Sequence, residues 1–200
     1  MLAMVYTTTA QAKPLKVFIL CGQSNMEGHA QTKTFPAIAK DPKTADMYKA
    51  MVNADGKPDI YLCYSGALPA AKRANQLFIN QGNDADGVPQ FRDEAAAYGL
   101  AGTAFSNQMY FFDYDMDGDL DGLLLNHNPK AMPVLNATKT KELLKVTDSD
   151  RGLCLYRNDD GKFKEVTVAA GLSGSALSYG LGLAISDLDR DGDPDFYVSN

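Results

Sequence analysis

Two nine-residue stretches carry the residues best suited to chemistry. The segments "DYDMDGDLD" at 113–121 and "DLDRDGDPD" at 187–195 share the pattern D-x-D-x-D-G-x-x-D. Aspartates spaced in this way direct oxygen ligands toward one point, and glycine at position 6 permits the sharp turn that gathers them. Hard oxygen donors in this number select Ca²⁺ over a thiophilic metal. The pattern predicts two calcium sites, with ligands from Asp113, Asp115, Asp117, Asp119 and Asp121, and from Asp187, Asp189, Asp191, Asp193 and Asp195.

Charge repulsion within these loops also favours a bound cation. Two carboxylates about 4 Å apart repel by about 1 kcal/mol in water and about 4 kcal/mol near a protein surface. Five aspartates in one turn would loosen it unless a cation were present. The alternative is a solvated acidic turn, against which the regular spacing, the glycine and the duplication argue. An EF-hand is excluded because Leu124 and Val198 stand at position 12, where that motif needs glutamate.

A third loop of the same kind is degenerate. In "NADGKPD", Asn53, Asp55 and Asp59 fall at positions 3, 5 and 9, and Gly56 falls at position 6. Position 1 is Met51, which cannot bind calcium. The sequence therefore predicts a weak or empty site at this place.

The elements around the loops indicate a repeated β structure. From Asp59 onward, short β-rich runs alternate with Gly, Asn and Asp turns, and only residues 136–146 look helical, as a loop insertion. Residues 91–106 match 163–178 at an offset of 72, and Asp113 matches Asp187 at an offset of 74. A period of this length with several strands per unit is typical of a propeller blade.

These residues resemble the FG-GAP/VCBS repeat family over 53–200. The resemblance implies a calcium-stabilised β-propeller of a secreted or surface protein, with a role in adhesion, carbohydrate contact or scaffolding. The predicted fold is mainly β: a partial β-propeller with two full blades and the start of a third, preceded by a short β-loop-α segment. Because so few blades cannot close a ring, the expectation is a fragment of a longer protein or a chimera.

The segment 13–52 differs in pattern from the repeats. An apolar run at 17–21 predicts a strand of a parallel sheet, and residues 41–52 predict an amphipathic helix. The intervening "ILCGQSNMEGH" resembles the first block of the SGNH-type sialate O-acetylesterases, over about 13–58. That resemblance implies Ser24 as nucleophile and a carbohydrate O-acetylesterase as the alternative function.

The remaining catalytic residues of such an esterase are missing from the sequence. No D-x-x-H block follows Ser24, and the two histidines are His29 and His127. His29 is too close in sequence to serve as the base, and His127 falls in a predicted exposed turn. A serine without a base is an ordinary hydroxyl. The favoured interpretation is therefore a serine in a turn that follows a buried strand.

Composition and the N-terminus restrict the location and the partners. The net charge of −6 argues against nucleic acid as a partner, and no apolar run is long enough to span a membrane. Residues 1–12 end in Ala-Gln-Ala, which predicts a signal-peptide remnant or, alternatively, an ordinary disordered N-terminus. The expected location is secreted, periplasmic or cell-surface, with a protein or carbohydrate ligand that the sequence does not identify.

Two further predictions concern the cysteines and the joining of the N-terminal segment to the repeats. Cys21, Cys63 and Cys154 are odd in number and widely spaced, so no disulfide framework or zinc site is expected. The two resemblances overlap at 53–59, which suggests that two exported proteins are fused there. Natural recombination, an assembly error and a constructed sequence all remain open as its origin.

Overall fold

The computed structural model describes residues 57–130 and 134–199, together with the backbone of one strand nearer the N-terminus. Ten strands and two α-helices fall in these ranges. The strands are β1 (Val17–Ile19), β2 (Asp59–Leu62), β3 (Gln76–Asn83), β4 (Pro89–Asp93), β5 (Ser106–Phe112), β6 (Asp121–Asn126), β7 (Cys154–Asn158), β8 (Phe163–Glu165), β9 (Gly182–Ser186) and β10 (Asp195–Ser199); the helices are α1 (Ala95–Tyr98) and α2 (Ala137–Leu143).

The second sheet is a complete four-stranded meander. Its order is β5-β6-β7-β8, and every neighbouring pair is antiparallel. Antiparallel strands that follow one another in chain order within one sheet are the arrangement of a propeller blade. The third sheet holds β9 and β10, which pair antiparallel with Asp195 opposite Ser186, so it repeats the first two strands of that blade.

The first sheet differs from the second at its first strand. Its order is β1-β2-β3-β4, in which β2, β3 and β4 pair antiparallel. Strand β1 instead runs parallel to β2, with Val17 opposite Asp59. The predicted strand at 17–21 is thus confirmed over three residues, and it lies at the edge of the first repeat's sheet. The rest of segment 13–52, including the predicted helix at 41–52, lies outside the described residues.

The core lies between the first two sheets. Tyr61 and Leu77 of the first sheet pack with Met109 and Leu124 of the second, and all four are at most 1% exposed. Tyr61 also donates a hydrogen bond from its hydroxyl to the Leu100 carbonyl at 2.8 Å. Phe111 joins this cluster through edge-to-face contacts with Tyr61 and Phe163, at centroid distances of 6.1 and 6.0 Å. The two blades therefore pack face to face as sheets of one hydrophobic core.

Strand β6 is buried on both faces. All six of its residues are buried, from Asp121 to Asn126. Leu124 packs in the core with the first sheet, and Leu125 lies close to Gly180, just before the third sheet. Such double-sided burial explains the apolar run "LLL", which does not alternate as a half-exposed strand would.

The helical prediction was confirmed at one place and incomplete at another. Helix α2 lies within the predicted range 136–146 as an exposed insertion between β6 and β7, and the Asn136 side chain caps it by accepting the Lys139 N–H at 2.8 Å. Helix α1 was not predicted; it is a single turn that ends at Gly99 in the left-handed conformation (φ 81°). A four-residue helix has too few turns to show a helical period.

The fold class is confirmed as mainly β, with antiparallel sheets that correspond to propeller blades.

His127 was predicted in an exposed turn, but it is half-buried because its ring lies against Phe105, with a centroid distance of 6.3 Å. Cys154 is a buried free thiol, and Cys63 is half-buried. None of the helices in the described ranges has the length and apolar character needed to cross a membrane.

Candidate metal centre

The two aspartate loops occupy equivalent places in successive sheets. One connects β5 to β6, and the other connects β9 to β10. In the first loop, carboxylate oxygens of Asp113, Asp115 and Asp117 all lie within 4.8 Å of one another. In the second, oxygens of Asp187, Asp189 and Asp191 do the same. The structure therefore brings together positions 1, 3 and 5 of each predicted site.

Backbone hydrogen bonds hold the first loop in its turn. The Asp113 carboxylate accepts the N–H groups of Asp117 and Gly118, at 3.1 and 3.0 Å. Met116 and Gly118 adopt left-handed backbone angles, with φ of 59° and 96°. Glycine adopts this conformation without the steric cost that a side chain would incur, which accounts for its place at position 6.

The second loop has nearly the same internal bonding. The Asp187 carboxylate accepts the N–H groups of Arg190 and Gly192, at 2.7 and 3.2 Å. Arg190 and Gly192 are again left-handed, with φ of 66° and 100°. Because both loops turn at positions 4 and 6 and bond position 1 to position 6, their similarity extends from sequence to backbone.

The surroundings of the Asp119 carboxylate favour a bound cation. Its Oδ1 atom is buried and has no hydrogen-bond partner among the described residues. Burial, together with the charges of Asp117, Asp115, Asp113 and Asp160, raises the pKa of Asp119. A buried acceptor without a donor is costly, and a bound cation would remove both that cost and the repulsion. The donor set of this loop fits Ca²⁺.

Asp121, at position 9, already has other partners. Its Oδ1 accepts the Asn158 N–H at 2.8 Å, and its Oδ2 accepts the Tyr114 N–H at 3.0 Å. The Asn158 side chain in turn donates to the Leu120 carbonyl at 3.1 Å. Burial raises the pKa of Asp121 to about 6, although these two backbone hydrogen bonds oppose the shift. We call this pairing of a position-9 aspartate with an asparagine of the third strand the Asp–Asn clasp.

The first sheet contains the same clasp. Asp59 is fully buried, and its Oδ1 accepts the Asn80 N–H at 2.8 Å. The Asn80 side chain donates to the Pro58 carbonyl at 3.3 Å. Asp59, which its spacing assigns to position 9 of the degenerate loop, thus accepts the same asparagine N–H bond as Asp121. The other two residues of that predicted site, Asn53 and Asp55, lie outside the described residues.

Position 9 of the second loop, Asp195, makes one of the two bonds that Asp121 makes in the first loop. Asp195 accepts the Leu188 N–H at 2.8 Å, which corresponds to the Tyr114–Asp121 bond of the first loop. Asp193 donates its N–H to Asp191 Oδ1 at 2.9 Å, as Asp119 does to Asp117 Oδ1 at 3.1 Å. The position-9 residues therefore bond to the backbone of the loops, while positions 1, 3 and 5 form carboxylate clusters that are exposed except at the half-buried Asp113.

The asparagines of the clasp were not predicted from the sequence. Asn80 and Asn158 fall at the same position of the matched segments "LFINQGN" and "LYRNDDG". That coincidence is a usable signal, because a polar residue repeated inside a strand needs a hydrogen-bond partner. Ser24, the predicted esterase nucleophile, lies outside the described residues.

Comparison with known protein families agrees with this geometry. The model for the FG-GAP-like repeat matches residues 52–124 and 135–198, which together exceed half of the chain. The chain belongs to the FG-GAP-like repeat family. Each match includes one clasp asparagine and one of the two aspartate loops. A search of curated proteins and a search of solved structures each returned no match.

Proposed function

We propose that this chain is a calcium-binding FG-GAP-like repeat module with a binding or scaffold role in an exported protein. The observation that carries the proposal is the buried, unpartnered Asp119 Oδ1 beside the carboxylates of Asp113, Asp115 and Asp117. The second loop would bind a second ion, because its backbone turns and its internal hydrogen bonds match those of the first loop.

The expected strength of these sites supports an extracellular role. Loops of this exposure and charge resemble extracellular calcium modules, whose dissociation constants are about 10⁻⁴–10⁻³ M. Such sites fill at millimolar calcium and stay largely empty at the micromolar levels of a cytosol. At 1 mM calcium and a dissociation constant of about 10⁻⁴ M, each ion adds about 1.4 kcal/mol to the free energy of unfolding.

Calcium titration of the metal-free protein tests the proposal. We expect isothermal titration calorimetry to give two sites, and we expect 1 mM calcium to raise the melting temperature by about 5–15 °C over EGTA. Magnesium at the same concentration is the control, because its smaller octahedral shell suits these loops less well. Absence of binding heat together with an EGTA-insensitive melting temperature would refute the proposal.

A further inference from the structure

A cavity of about 630 Å³ lies at the opposite end of the blades from the aspartate loops. Its walls come from the loop after β2, the residue before β5, the turn after β6 and the residue Tyr179 before β9. The calcium loops follow the other end of β5, which is seven residues long and spans about 20 Å. The volume falls within the roughly 300–1,000 Å³ of pockets that bind small ligands.

Arg73 is the charged residue of this cavity. It is 7% exposed, its Nε donates to the Thr103 carbonyl at 3.2 Å, and its Nη1 donates to the Leu68 carbonyl at 2.6 Å. Its guanidinium carbon lies 3.8 Å from the centre of the Phe105 ring. These contacts fix the guanidinium in place, so it is preorganised for a ligand.

The positive charge of Arg73 has no carboxylate partner among the described residues. Among the residues that the structure describes, no aspartate or glutamate lines the cavity. A guanidinium has five N–H groups, and only two of those on Arg73 have an acceptor in the described ranges. A buried cation without a counter-ion is unfavourable, and an anion in the cavity would neutralise it. This contrasts with Arg157, whose guanidinium already binds Asp159.

We propose that this cavity binds the carboxylate of an acidic sugar, of the hexuronate class. The guanidinium fork matches a carboxylate in planar geometry, with two parallel hydrogen bonds. The wall beside it carries aromatic surface, including Tyr179, which is 37% exposed, and the half-buried His127 ring. A sugar ring can pack on such surface and use its hydroxyls with the imidazole. An acidic peptide side chain would fill only the part next to Arg73.

The direct test compares methyl glucuronide with methyl glucoside, which share a ring and differ in the carboxylate. Calorimetric or NMR titration of the calcium-loaded protein should show glucuronide binding that is at least tenfold tighter than glucoside binding. Arg73→Gln should weaken glucuronide binding at least tenfold. Arg92→Gln is the matched control and should change nothing, because its side chain is 68% exposed and outside the cavity.

Two further measurements keep the outcome interpretable. If Arg73→Gln fails to fold, as judged by its melting temperature, Tyr179→Ala replaces it and should weaken glucuronide binding several-fold. Asp115→Ala should leave glucuronide binding intact, so a failure of the calcium proposal would be seen separately. Equal binding of the two glycosides, tighter binding of an acidic peptide, no glucuronide binding, or a folded Arg73→Gln variant with unchanged affinity would each overturn the inference.

Discussion

Asp119 and Asp121 lie two residues apart and have different surroundings. The buried Oδ1 of Asp119 has no partner in the described part of the chain, whereas both oxygens of Asp121 accept backbone N–H groups. Identical side chains therefore serve two purposes within one loop. Asp119 keeps a buried acceptor without a donor in the described residues, and Asp121 connects the loop to the neighbouring strand.

At Asp115 we expect a substitution to remove calcium binding without unfolding the loop. Its carboxylate belongs to the first cluster and is exposed, while the backbone N–H groups of the loop bond to Asp113 and Asp117 instead. Asp115→Ala should lower the calorimetric stoichiometry from two calcium ions to one. Asp86→Ala, another exposed aspartate in a turn, is the control and should retain both. Retention of two full-affinity sites in Asp115→Ala would contradict the assignment.

Asp121 predicts how stability depends on pH when calcium is absent. Its pKa is raised from 3.8 to about 6, so the folded state holds this proton more tightly than the unfolded chain does. Its contribution to the free energy of unfolding is therefore present below pH 3.8 and is lost as the pH rises through about 6. Urea unfolding in EGTA should show a greater loss of stability from pH 4 to pH 7 in the wild type than in Asp121→Asn, whose carboxamide does not titrate. Parallel pH profiles would refute this.

At the scale of elements, the Asp–Asn clasp connects the second and third strands of a blade. Each clasp joins the residue at the start of the second strand to an asparagine within or at the end of the third strand. The asparagine side chain also accepts a nearby backbone N–H: from Gly82 at an irregularity within β3, at 2.9 Å, and from Gly161 between β7 and β8, at 2.7 Å. The clasp thus joins the paired strands and holds the backbone just beyond the asparagine.

Asn158→Ala should destabilise the protein by about 1–3 kcal/mol. The substitution removes hydrogen bonds to the Leu120 carbonyl and the Gly161 N–H, of which Leu120 lies at a half-buried position. Urea denaturation monitored by circular dichroism measures the change. Asn83→Ala, on an exposed position of β3, should change the free energy by less than about 0.5 kcal/mol. Equal effects of the two substitutions would show that the clasp contributes little.

For the whole molecule, the sheets differ in how completely they are packed. Strand β6 has a hydrogen-bonded strand on each side and is buried at every residue. Strands β9 and β10 pair only with each other among the described strands, and Tyr197 of β10 is 68% exposed. Contacts with the second sheet are limited to a few, including the Phe112–Phe196 ring contact at 6.4 Å.

Amide hydrogen exchange should reflect this difference. We expect the slowest exchange at Leu123 and Leu124 of β6 and exchange several orders of magnitude faster in β9 and β10, because local opening there exposes little additional apolar surface. Exchange measured by NMR or mass spectrometry, with and without calcium, provides the test. Calcium should slow exchange in β9 and β10, because a bound ion would restrain the aspartate loop that connects these two strands. Uniform protection of all three sheets would contradict this view of the fold.

The local features of this protein could be predicted from its sequence alone. The aspartate loops, their glycines, the strand runs and the repeat follow from spacing over a few residues, because turn geometry and strand pattern are local properties. Tertiary structure decided the Asp121–Asn158 clasp, across 37 residues, and the parallel pairing of β1 with β2. It also decided the cavity that joins Arg73 to Tyr179. These contacts depend on how strands pair within a sheet and on how the sheets pack together, and no local periodicity records either.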